Sequence, residues 1–123
     1  MYLKNFFNCN VIFSGIKTPE PSIRDMINKY YILHFKDEYE RYTELYISSF
    51  IKDNTGVLNK DSTIIEFFIA NPPLLESSNS FEPTIKEIVE RYYNFHFDPK
   101  DAQNYIDLYI QKFSEQNSFL LKD

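Results

Sequence analysis

The sequence predicts an all-α protein: a compact bundle of about six helices made from two tandem copies of one helical unit, related by a pseudo-two-fold axis. Three observations carry this. A long stretch recurs at fixed spacing, apolar residues follow a helical period in both copies, and glycine is nearly absent, with only Gly15 and Gly56. Turn-rich sandwiches and barrels consume glycine, so few turns and long elements remain.

Residues 20–35 align with residues 82–97, with seven of sixteen pairs identical. Most of the others are conservative, among them Ser22 with Thr84, Asp25 with Glu87, and Lys29 with Arg91. Amphipathic helices resemble one another by apolar class alone. The shared string Tyr-Tyr-x-x-His-Phe goes further and reads as an internal duplication. One residue of insertion later, Tyr42, Leu45, Tyr46, Ile47 and Phe50 match Tyr105, Leu108, Tyr109, Ile110 and Phe113. The chain is read as one domain, 1–123, with copies at about 1–60 and 61–123. Each unit is too small to hide its apolar face alone, so the two should pack together.

In chain order, residues 2–9 are the counterpart of a later helix, with Phe6-Phe7 matching Phe67-Phe68, and Val11-Ile12-Phe13 reads alternatively as a short strand. The next helix is expected to start at an N-cap Thr18, with Glu and Pro in its first turn. Its inward face would be Ile23, Met26, Ile27, Tyr30 and His34, at the i, i+3, i+4, i+7 spacing. A second helix follows Phe35, opened by the capping-box-like pair Asp37 and Glu40, with Tyr42, Leu45, Tyr46, Ser49 and Phe50 on one face. A linker at 52–61 leads to a helix at about 63–70, opened by Thr63 and Glu66 and stopped by Pro72-Pro73. That helix is apolar nearly all round, which predicts a central position. After a Ser/Asn-rich linker at 71–80, Ser80 is the expected cap of the next helix, with Ile85, Ile88, Val89, Tyr92 and His96 inward. Asp98-Pro99 opens the last helix, with Tyr105, Leu108, Tyr109 and Phe113 on its face. The expected core is Ile23, Ile27, Tyr30, Leu45 and Phe50 with Ile85, Val89, Tyr92, Leu108 and Phe113.

The net charge is −5, from 18 acidic against 13 basic residues. The basic residues are scattered, and neither nucleic acid nor an anionic membrane is attracted without clustered cations. A basic protein partner suits this charge. Cys9 is the only cysteine, so no disulfide framework exists and a reducing compartment is expected. Asparagines interrupt the apolar start and no small-residue cleavage site follows, which argues against a signal peptide. No apolar run is long enough to span a bilayer. A cytoplasmic protein is expected.

The candidate sites each have a plain structural account beside the functional one. His34 and His96, at matched helix C-termini, suit a pH switch or a metal, but zinc needs three or four ligands and helix-end electrostatics accounts for them. Tyr30-Tyr31 and Tyr92-Tyr93 each put one ring inward; Tyr31 and Tyr93, turned outward, are the expected partner anchors. Asp37, Glu38, Glu40 and Glu44 form an acidic patch relieved by Arg41, explained either by the helix dipole or as a docking surface for a basic protein. Cys9 lacks the neighbours that activate a thiol. No phosphate loop, nucleophile elbow or zinc-protease motif is present. No catalytic residue, metal or cofactor is therefore expected.

Small size, acidic charge, helices and aromatic residues together describe a protein that binds another protein. The expected class is a non-catalytic inhibitor, an immunity protein that neutralises a basic, nuclease-type toxin by masking its active site. The alternatives are a phage- or plasmid-borne regulator of a host protein and a structural homodimer subunit.

Overall fold

The computed structural model describes residues 2–13, 15, 17–59, 61–75 and 81–121. It is built from six α-helices: α1 Tyr2–Phe6, α2 Ile23–His34, α3 Tyr39–Asn54, α4 Ile64–Ile69, α5 Ile85–His96 and α6 Pro99–Asn117. A 3-10 turn, Ser118–Leu121, closes the described part. Among the described residues there is no strand. Val11-Ile12-Phe13 makes only an isolated antiparallel bridge, Val11 to Glu20. Helix α2 packs on α3, α5 on α6, and α2 on α5 across the middle.

Helix α2 starts later than expected, and its cap is Ser22, not Thr18. The Ser22 hydroxyl accepts from the Asp25 N–H, and the Asp25 carboxylate accepts from the Ser22 N–H, closing a capping box. Thr84 and Glu87 do the same for α5. Residues 18–21 cannot begin the helix because Pro19 and Pro21 bias the residues before them towards extended backbone. The Glu20 N–H instead donates to the Val11 carbonyl at 2.7 Å. In the aligned stretch the Glu82 N–H donates to the Pro73 carbonyl at 3.0 Å. Ser80 lies outside the described residues.

Helix α3 begins at Tyr39 behind Glu38, whose side chain makes no capping bond, so Asp37 and Glu40 do not form the expected box. The turn after Phe35 places Asp37 one residue too early to serve as N-cap. Asp98 does precede Pro99 at the start of α6, and its carbonyl receives the Ala102 N–H at 2.8 Å. Thr63 caps α4 through the Glu66 N–H at 3.2 Å. That short helix reaches the middle of the core with one face only: Ile64, Phe67 and Phe68 are buried, while Ile65 is 54% and Ile69 55% exposed.

The core is a run of aromatic rings. Phe67 touches Phe6 (4.8 Å between centroids), Phe7 (5.8 Å), Phe50 (5.5 Å), Phe68 (5.7 Å) and Phe113 (6.3 Å). Phe7 meets Phe50 edge-on at 5.5 Å, as Phe68 meets Phe113 at 5.3 Å. Such geometries add to the burial of the rings themselves. Ile23, Ile27, Phe50, Ile85, Val89 and Phe113 are buried as expected. Tyr30, Leu45, Tyr92 and Leu108 are only half-buried and pack at the edge of the core.

Candidate functional site

The tyrosine pairs face the opposite way from the sequence expectation. Tyr31 and Tyr93 are each 1% exposed, so neither is an outward anchor. The inward stripe of α2 is Ile23, Met26, Ile27 and Tyr31, at i, i+3, i+4 and i+8. Both i+7 and i+8 fit one helical face, and the tie is broken by what waits there. The Tyr31 hydroxyl donates to Glu82 Oε1, and the Tyr93 hydroxyl donates to Glu20 Oε1 at 2.6 Å. Beneath them, Tyr46 donates to the Pro83 carbonyl at 2.7 Å and Tyr109 to the Pro21 carbonyl at 2.9 Å. The α2–α3 pair thus holds the segment leading into α5, and the α5–α6 pair holds the segment leading into α2.

These four phenols are pushed well above the ordinary tyrosine range, first by burial. The Glu82 carboxylate adds to the effect at Tyr31 and Tyr46, and the Glu20 carboxylate at Tyr93 and Tyr109. They are neutral donors that tie the fold together.

The acidic residues Asp37, Glu38, Glu40 and Glu44 are all exposed around the start of α3. Glu44 pairs with Arg24, which also donates to Asn8 Oδ1 at 2.9 Å, so this carboxylate already has a partner within the chain. Asp37, Glu38 and Glu40 crowd the corner between α2 and α3. Phe35 sits there stacked on Tyr42 at 4.1 Å, and Tyr39, the first residue of α3, is half-buried against the core. Arg41 lies over the Tyr42 ring at 5.5 Å. The corner after α5 is built alike, with Phe97 stacked on Tyr105 at 4.3 Å and Asp98 and Asp101 exposed.

Sequence reasoning did not foresee a cleft of about 460 Å³ between α2 and α5. Its lining comes in aligned pairs, with Met26 and Ile88 buried beneath and Leu33 and Phe95 exposed at 67% and 71%. Tyr30 and Tyr92 stand between. Arg91 lies over the Tyr30 ring at 5.2 Å and Lys29 over the Tyr92 ring at 6.0 Å, so each cation reaches the tyrosine of the other helix. The signal in the sequence was the match of Lys29 with Arg91 beside the two Tyr-Tyr pairs. Locating it required knowing how α2 crosses α5.

His34 and His96 are exposed and line this cleft. Each packs on its own helix's tyrosine, His34 on Tyr30 at 4.8 Å and His96 on Tyr92 at 4.7 Å. Among the described residues no three His, Cys, Asp or Glu side chains gather where they could hold a metal. Burial pushes the Cys9 thiol up, and it donates to the Asn5 carbonyl at 3.1 Å. No helix among the described residues is long and apolar enough to cross a membrane. No family model, no curated protein and no solved structure matches the chain.

Proposed function

We propose that this chain is a non-catalytic inhibitor that binds a basic protein. In this reading it is a cytoplasmic immunity protein that masks the active site of a nuclease-type toxin. The supporting observation is the corner between α2 and α3, where exposed Asp37, Glu38 and Glu40 lie in the same short stretch as exposed Phe35 and half-buried Tyr39. Aromatic anchors inside a charged rim are the usual anatomy of a protein interface. Acidic rim charges steer a cationic partner and raise the rate of encounter. Tyr39 and Phe35 take the anchoring role that the buried Tyr31 and Tyr93 cannot.

The same proposal treats the chain as a tandem duplication about a pseudo-two-fold axis. The exchanged bonds, Tyr31 to Glu82 and Tyr93 to Glu20, support that reading. So do the paired capping boxes.

The test is co-expression with a toxin encoded beside this gene. Restored growth together with a stoichiometric complex is the expected result. Asp37→Lys with Glu40→Lys should then slow association and flatten its salt dependence while leaving dissociation nearly unchanged. Unrescued growth with no complex would overturn the immunity reading. A complex indifferent to charge reversal would keep the function and move the interface.

A further inference from the structure

We propose that the cleft between α2 and α5 binds a small amphipathic anion, with one carboxylate or phosphate head and an apolar body. The site and its ligand are independent of the acidic corner and stand if the toxin reading fails. Its charge is the first argument. The chain is acidic overall, yet no Asp or Glu lines the cleft; the ionic groups that do are Lys29 and Arg91, joined by the imidazoles of His34 and His96. The carboxylates felt by the two tyrosines, Glu82 and Glu87 at Tyr30 and Glu20 and Asp25 at Tyr92, lie outside the cleft lining and are hydrogen-bonded to other groups. Asp25 and Glu87 close the capping boxes, and Glu82 and Glu20 accept from Tyr31 and Tyr93.

The second argument is that the cations are held in place. Arg91 lies over the Tyr30 ring at 5.2 Å, which limits its freedom before any ligand arrives, and Lys29 reaches the Tyr92 ring at 6.0 Å, the outer limit of such a contact. An arginine so placed keeps its forked donors for a carboxylate or a phosphate. The third argument is the apolar share of the cleft. Met26 and Ile88 line its depth, while Leu33 and Phe95 stand open to solvent at its mouth and would cover a hydrocarbon or aryl body. Its size falls among ordinary small-molecule pockets, about 300–1,000 Å³. A head fixed by a few polar groups and a body on apolar walls is how such pockets work.

Isothermal titration of the full chain with decanoate and with decyl phosphate, each below its micellar concentration, tests the site. Decyltrimethylammonium serves as a control of equal chain length and opposite charge. At least one anion should saturate a single site per chain, and the tighter of the two identifies the head group. The cation should bind at least about tenfold more weakly. The Lys29→Gln/Arg91→Gln variant should lose about tenfold or more in affinity, as expected for charge-assisted contacts, while keeping a cooperative melt lowered only by the small contribution of two exposed cation–π contacts. Amide shifts in the wild-type protein should move at Met26 and Ile88, a readout that needs no variant. Failure of both anions to saturate, equal binding of the cation, or undiminished binding by the double variant would overturn the proposal. A stable dimer that closes the cleft and excludes both anions would overturn it too.

Discussion

The Tyr93 hydroxyl donates to Glu20 Oε1 at 2.6 Å, joining the buried face of α5 to the segment that leads into α2. Tyr31 and Glu82 make the opposite link. Each is a phenol reaching across the molecule to a half-buried carboxylate, so each ties together parts of the chain that are distant in sequence. Hydrogen bonds to charged groups contribute about 1.5–3 kcal/mol, more than neutral ones.

Tyr93→Phe and Tyr31→Phe should therefore each destabilise the fold by about 1.5–3 kcal/mol in denaturant unfolding. Tyr30→Phe and Tyr92→Phe should stay within about 0.5 kcal/mol, since both are edge residues. In a double-mutant cycle, Tyr93→Phe with Glu20→Ala should fall short of additivity, while Tyr93→Phe with Glu82→Ala should add. Additivity in the first cycle would show that the bond contributes nothing of its own.

Alkaline pH should unfold the protein earlier than carboxylate chemistry alone would suggest. Tyr31, Tyr46, Tyr93 and Tyr109 have folded pKa values raised by burial, whereas unfolded tyrosine titrates near pH 10. A raised folded pKa gives stability that is complete below the unfolded value and is lost progressively above it. Each such phenol should remove about 1.4 kcal/mol per pH unit above pH 10. Spectrophotometric titration should show these four ionising together with loss of helix. Smooth ionisation of every tyrosine in a protein still folded would contradict it.

Phe67→Ala should be among the most damaging single truncations, because that ring touches five others. A loss of about 3–5 kcal/mol is expected, as for Phe50→Ala and Phe113→Ala. Leu45→Ala and Leu108→Ala should cost less than these, since both residues are only half-buried. Urea unfolding with a common slope would rank them. A loss below about 1 kcal/mol for the phenylalanines would mean the core is placed wrongly.

Ser22→Ala and Thr84→Ala should each cost about 1 kcal/mol, the usual worth of an N-cap, whereas Thr18→Ala should be near neutral. Thermal melts of the three variants would check this. A larger loss at Thr18 would return the helix start to the earlier position.

The helical class, the alignment of residues 20–35 with 82–97 and most of the buried aliphatic stripe are legible in the residues alone. Period and spacing are local properties, and Ile23, Ile27, Ile85 and Val89 lie inward whatever the packing partner. The capping boxes were missed although Ser22 with Asp25 and Thr84 with Glu87 stand at box spacing: the caps were expected at Thr18 and Ser80. Which tyrosine of each adjacent pair turns inward is set by the packing of the helices. Positions i+7 and i+8 flank the same helical face, so the period leaves Tyr30 and Tyr31 equivalent. The difference is supplied by Glu82 and Tyr46, which arrive from elsewhere in the chain and offer Tyr31 an acceptor and an aromatic neighbour. The cleft has the same origin. Lys29, Arg91, Tyr30 and Tyr92 belong to two helices far apart in sequence, and only the packing of α2 on α5 makes their side chains neighbours.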